Sequence, residues 1–219
     1  MRDENWIQRL WTWADENNIS DLQWIKHDSY LNGGYFRGLP RDKHKLIDLT
    51  ELNLLGSQLR SLPMELFQLS NLKKLHLLDN QLTVLPTEIQ KLTNLEELYL
   101  AGNRLDSLPQ EIGNLNKIKS LLLQENELKS LPIELGELKS LEVLELGGNK
   151  LQSLPVEIGK LKNLEKLTLW KNKLTSLPKE MENLLSLKEF DILYNKIALT
   201  QDNIQWLEKL MNKGGNINI

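Results

Sequence analysis

Three histidines and no cysteine are the residues this chain offers for nucleophilic or proton-transfer chemistry. His27, His44 and His76 are scattered, and His76 with nearby Asp79 is the one pair read as a candidate dyad. Such a dyad could act as a general base. No HExxH, P-loop, GxGxxG or cysteine nucleophile accompanies it. A second candidate is a row of glutamates, Glu65, Glu88, Glu111, Glu134, Glu157 and Glu180, recurring every 23 residues behind Asp42. Spaced carboxylates can be a catalytic or calcium-binding row. Each, however, lies two residues after a proline, where a negative charge favours the start of a helical turn. The structural reading is preferred. The chain is therefore read as non-enzymatic, with no cofactor and no metal.

The elements behind that row repeat with one period. All seven prolines (Pro40, Pro63, Pro86, Pro109, Pro132, Pro155 and Pro178) follow a leucine at intervals of 23. Asparagine keeps the same beat at Asn80, Asn103, Asn126, Asn149, Asn172 and Asn195, with Ser57 in the first slot. A fixed period of this length means a stack of supersecondary units. Alternation around Leu98 and Leu100 predicts a short strand with one buried face. Strands one period apart then stack in parallel, about 4.8 Å from each other, along a sheet edge of roughly 30 Å. The asparagine amides, donor and acceptor at once, are expected to bridge successive turns. Leu105 and Leu108 return to the core, Pro109 is expected at the first helical position, and Glu111 at the third.

These residues, written LxxLxLxxNxLxxLPxEIGxLxN, resemble the leucine-rich repeat family. They are similar to its 23-residue intracellular subclass, which includes plant Ras-group, Ras-scaffold and many bacterial cytoplasmic repeat proteins. The match runs from residue 39 to about 197. The fold implied is an α/β solenoid: a right-handed superhelix with a parallel β-sheet on its concave face, short helical turns on its convex face and helical caps. The role implied is protein binding on the concave face. Two family features are missing, the cysteine-rich caps of extracellular members and the cysteine-dependent ubiquitin-ligase domain of some bacterial effectors.

Outside the repeats the ends read as caps. Residues 1–38 form the N-terminal one, 39–197 a half-repeat plus seven 23-residue repeats (the last partial), and 198–219 a C-terminal helix and tail. Trp6, Ile7, Leu10, Trp11, Trp13 and Ala14 share one helical arc. Ser20 is expected to cap a second short helix carrying Leu22, Trp24 and Ile25, and Asn32-Gly33-Gly34 to turn the chain. Thr200 is expected to cap a last helix with Ile204, Trp206, Leu207, Leu210 and Met211 on its apolar face, stopped at Gly214-Gly215. Five of six tryptophans lie in these ends, which suits covers for an open stack. No basic-then-apolar leader and no run of roughly 18–20 apolar residues is visible, so the expected location is the cytoplasm. Asn18-Ile19-Ser20 is then a chance glycosylation triplet.

Function is expected where the repeats differ. One outward column reads Asn53, His76, Tyr99, Leu122, Glu145, Thr168, Asp191, and the next Leu55, Leu78, Ala101, Gln124, Gly147, Trp170, Leu193. Leu78, Tyr99 and Leu122 are diagonal neighbours, an apolar cluster where apolar groups are unusual. Trp170 stands over Gly147 and Gly148, and nothing in the repeat requires a tryptophan there. Glu145 lies before it, and Lys166 and Lys171 flank it in a basic-to-acidic gradient that could orient a partner. These seven residues (Leu78, Tyr99, Leu122, Glu145, Trp170, Lys166, Lys171) are the expected contact set for a protein partner. The net charge of −3 gives no reason to expect nucleic acid or an acidic membrane. A self-associating scaffold, hence a homo-oligomer, is the alternative reading.

Overall fold

The computed structural model describes residues 5–25 and 35–219, so His27 and the expected turn at Asn32-Gly33-Gly34 fall outside the described residues. In chain order the elements are helix α1 (Asn5–Glu16), strands β1 (Gln23–Ile25) and β2 (Tyr35–Arg37), and helix α2 (Lys43–Ile47). Seven strands follow at the repeat interval: β3 (Glu51–Asn53), β4 (Lys74–His76), β5 (Glu97–Tyr99), β6 (Ser120–Leu122), β7 (Val143–Glu145), β8 (Lys166–Thr168) and β9 (Glu189–Asp191). Helix α3 (Gln201–Asn212) and strand β10 (Asn216–Asn218) complete the chain.

Strands β3 to β10 make one parallel sheet in which every strand pairs with its sequence neighbour. The register is one full repeat: Leu52, Leu75, Leu98, Leu121, Leu144, Leu167 and Phe190 stand opposite one another and are buried. This central residue faces the core, and the residues on either side of it point outward. A single hydrophobic stack runs the length of the chain and includes the convex leucines and isoleucines.

The asparagine column is a hydrogen-bonded ladder. Asn126 Oδ1 accepts the amide of Leu105 in the preceding turn at 3.0 Å. Its Nδ2 donates to Leu100 O in that same turn at 2.9 Å and to Leu123 O in its own at 3.1 Å. Asn80, Asn103, Asn149, Asn172 and Asn195 repeat the pattern. Every amide reaches back to the turn before it. Such pairing is required because these backbone groups leave the sheet inside the core.

The convex turns differ from expectation in detail. Each of the six prolines from Pro63 to Pro178 is the residue before the helical turn, in an extended conformation (Pro132, φ −67, ψ 146), and its carbonyl accepts the amide three residues on. The turns are therefore single 3₁₀ turns, with glutamate at their second residue. A physical reason is width. An α-helix with side chains is about 10 Å across, too broad to stack at the spacing of the strands. Three turns carry a glycine where a β-carbon would press on the next turn's backbone, for example Gly136 against Glu157 O at 2.5 Å.

The caps close both ends. From α1, Ile7, Leu10 and Ala14 join the core, and Trp11 Nε1 donates to Pro40 O at 2.9 Å. Arg41 bonds Trp11 O, Ile19 O and the Asp15 carboxylate. The expected helix after Ser20 is not formed. That segment is β1, antiparallel to β2, with Trp24 opposite Phe36 and their rings edge-to-face at 4.8 Å. Ser20 O accepts Leu39 N, and Asp21 Oδ1 accepts Arg41 N, so the chain is held extended alongside residues 38–41. Trp24 is exposed, whereas Trp206 is buried against Phe190. Thr200 and Asn203 form a reciprocal cap on α3, which buries Trp206, Leu207 and Leu210. Ile204 and Met211, expected on that face, are exposed because the helix turns them to solvent. Past Gly214 the chain returns as β10 and adds a strand the repeat pattern does not announce.

Candidate protein-binding face

The outward residues of β3 to β9 line the concave face in the columns read from the sequence. His76, Tyr99, Leu122 and Glu145 stand side by side on successive strands. Leu78 lies one column over, diagonal to Tyr99, since Leu77 N donates to Tyr99 O and Asp79 N to Ala101 O. Leu78, Tyr99 and Leu122 are all half-buried. They form a continuous apolar track across three strands, with half-buried Val143 beyond it on β7.

Charged groups flank the track in pairs. On one side, Glu97 accepts Lys74 Nζ at 2.8 Å and the Tyr99 hydroxyl at 2.5 Å. Burial pushes the Glu97 carboxyl up, but the hydrogen bonds from Lys74 and Tyr99 outweigh it, and the group stays below its usual range. Burial, and then the bond to Glu97, push the Tyr99 phenol well above its usual range. The His76 ring meets Tyr99 edge-to-face at 4.6 Å. Burial lowers its pKa against the opposing pull of Glu51 and Glu97, so the imidazole is neutral at pH 7. On the other side, Lys166 bridges Glu145 at 2.9 Å and Glu189 at 3.3 Å.

Trp170 does not stand free. Its indole lies against Gly147 of the preceding turn, where a β-carbon would collide with Nε1 and Cε2. The glycine is thus the seat of the ring, which leaves Trp170 half-buried. Lys166 and Glu145, expected as separate contacts, neutralise each other. Lys171 is exposed and has no ion pair among the described residues. The seven residues therefore divide into an apolar track (Leu78, Tyr99, Leu122), a paired charge (Glu145, Lys166) and a C-terminal group (Trp170, Lys171).

The His76–Asp79 dyad is not assembled. Asp79 Oδ1 lies over Gly102, and the carboxylate facing His76 is Glu51, whose Oε1 is 3.6 Å from Nε2. That distance is too long for a hydrogen bond, and Nε2 has no protein partner. Gln124 Oε1 and Thr168 Oγ1, on the same face, also lack one.

One column carries a signal the sequence reading missed. The residue before each ladder position has a left-handed backbone: Gly56, Asp79, Gly102, Glu125, Gly148, Lys171 and Tyr194, with φ from 52 to 68. Glycine adopts this conformation at least cost, and its three appearances in a seven-residue column were the legible clue. The side chains between the glycines lean over them, Asp79 over Gly102 and Glu125 over Gly148.

Among the described residues, no helix is long and apolar enough to cross a membrane. Residues 47–105 match the family description "Leucine rich repeat", and residues 106–212 match "Leucine-rich repeat region". No curated protein matches the chain. Among solved structures, a leucine-rich repeat protein of Leptospira interrogans is 41% identical over 78% of this chain and 44% of its own, with a TM-score of 0.71. An internalin of Listeria monocytogenes shares the fold at 22% identity, covering 79% of this chain and 48% of its own, with a TM-score of 0.68. The plant peptide hormone receptor RGFR1, in complex with RGF2, is 28% identical over 75% of this chain and 32% of its own, with a TM-score of 0.65. The chain spans less than half the length of each of these proteins. With this sheet, this ladder and that identity, the chain belongs to the leucine-rich repeat family.

Proposed function

We propose that this chain is a non-enzymatic binding module that receives a protein partner on its concave face. The observation that carries this reading is the apolar track of Leu78, Tyr99 and Leu122. These side chains share a face with ion-paired neighbours, contribute nothing to the core stack, and offer contiguous apolar surface for burial. The paired charges on either side would form a polar rim that sets the partner's register. Proteins of this family generally act in protein–protein interaction, which agrees with the assignment.

The test is affinity capture from source-cell lysate with the intact chain and with a Leu122→Glu/Trp170→Ala variant, after circular dichroism has shown the variant folded. Because Trp170 is also packed on Gly147, Leu122→Glu alone is run beside it. A protein held by the intact chain and lost from both variants supports the concave face. Equal capture by all three overturns it. Sedimentation across a concentration range tests the self-associating alternative directly.

A further inference from the structure

We propose that the rim beside β8 and β9 is a second contact surface, separate from the concave track, that takes an acidic polypeptide segment. The inference rests on the chain being a protein-binding module, but not on the concave face being used.

Lys171, Lys173 and Lys196 are exposed, and none has an ion pair or side-chain hydrogen bond. Elsewhere, Lys74, Lys119, Lys150, Lys160, Lys166 and Lys188 each hold a carboxylate within 3.1 Å. Lys45, Lys73, Lys91, Lys209 and Lys213 are exposed without an ion pair too, but Lys171, Lys173 and Lys196 are the three that gather on two adjacent turns. Lys171 and Tyr194 are adjacent in one column, Lys173 and Lys196 in a column two residues on, with the ladder residues Asn172 (buried) and Asn195 (half-buried) between them. Adjacent turns are about 4.8 Å apart, so the four residues form a compact grid.

Tyr194 is the second, independent observation. It is 80% exposed, the highest value among the exposed large hydrophobic residues described. It also holds φ 59, in the column where other turns use glycine. A bulky residue in the left-handed region is uncommon and costs about 1–2 kcal/mol. A ring this exposed contributes little burial to the fold. Tyr194, Lys173, Lys196 and Thr175 line an open groove of about 770 Å³.

Lys173 and Lys196 line the groove, and no carboxylate does. The groove therefore presents uncompensated positive charge around an aromatic ring, which suits carboxylates on an extended segment. Such a segment places alternate side chains about 6.8 Å apart, so two can meet different lysines. A long polyanion such as nucleic acid fits poorly, because Glu125 and Glu127 lie in the turns just before the groove and the whole chain is at −3.

The test is fluorescence anisotropy with a fluorescein-labelled (Glu-Ser)5 peptide, titrated at low and high ionic strength. The intact chain should bind saturably, and salt should weaken the binding. Lys173→Glu/Lys196→Glu, which breaks no contact in the fold, should weaken it about tenfold or more. Lys45→Glu/Lys91→Glu, the same charge change at the other end, should leave it unchanged. Tyr194→Gly should weaken the peptide without lowering the unfolding temperature. The concave variant Leu122→Glu should bind the peptide normally, which separates this result from the concave-face reading. Absence of saturable binding, equal loss in both lysine variants, or a (dT)10 oligonucleotide binding as tightly as the peptide would each overturn the proposal.

Discussion

The ladder gives a stability prediction that can be worked from its hydrogen bonds, with Asn126 as the test position. Replacement by alanine removes four contacts, yet three of the backbone partners keep another donor. Leu100 O retains Asn103 Nδ2, Leu123 O retains Asn149 Nδ2, and Gln124 O retains Gly102 N. Only the buried Leu105 N–H is orphaned. One unsatisfied buried donor costs about 1–3 kcal/mol, far less than four lost bonds would suggest. Aspartate is the sharper probe. It can still accept from Leu105 N, but its second oxygen would face three carbonyl oxygens where an amide now donates. Burial and these dipoles would raise its pKa above the ordinary carboxylate value of about 4. The folded state then binds the proton more tightly than the unfolded chain does. The stability of Asn126→Asp should accordingly increase as pH falls from 7 towards 4 and decrease as it rises. Urea denaturation followed by circular dichroism at pH 7 and pH 5 measures all of this. Asn126→Asp should be less stable than Asn126→Ala at pH 7, with the gap narrowing at pH 5. An aspartate variant as stable as the intact chain at pH 7 would refute the assignment of Nδ2 as a donor to carbonyls.

Three further outcomes are expected. Gly136→Ala should destabilise by more than Gly56→Ala, since the first meets Glu157 O at 2.5 Å and the second meets nothing and carries only the left-handed cost of about 1 kcal/mol; paired thermal melts decide it. Gly147→Leu should expel the half-buried indole of Trp170 from its seat, and the fluorescence emission should move to longer wavelength. Because the Tyr99 phenol is held up by burial and by Glu97, its contribution is complete below the ordinary phenol value of about 10 and is lost as pH rises beyond it. Tyr99→Phe should flatten that alkaline loss, as read from denaturation midpoints between pH 9 and pH 11.

Much of the fold was legible because one period sets everything at once. The leucine and proline beat fixes which residues align, and the observed register places the outward columns where the repeats put them. The asparagine bridge followed from an amide's two-sided chemistry. What stayed hidden lay where the period is silent or a local pattern is ambiguous. Leu22, Trp24 and Ile25 suit a helix or a strand, and the backbone partners at residues 38–41, far along the chain, decided for the strand. Residues 216–218 carry no repeat mark, so β10 had no signal. In the candidate site, the apolar track was readable from the columns. The seating of Trp170 on Gly147 and the pairing of Lys166 with Glu145 were not, because both depend on how side chains lean between neighbouring turns. Tyr194 escaped because its importance lies in a backbone angle that the residue type alone argues against.

The direction of the ladder has a consequence for how the chain is made. Each asparagine completes the turn before its own: Leu59 N has its acceptor only when Asn80 arrives, and Leu105 N only when Asn126 does. A turn leaving the ribosome is therefore still open until the next asparagine emerges, 21 residues later. At roughly 5–20 residues per second that wait is about 1–4 s per turn. While the repeats emerge, the growing molecule would carry one unfinished turn at its ribosome-proximal end. The last of these is closed by Asn195, after which α3 and β10 cover the end of the stack.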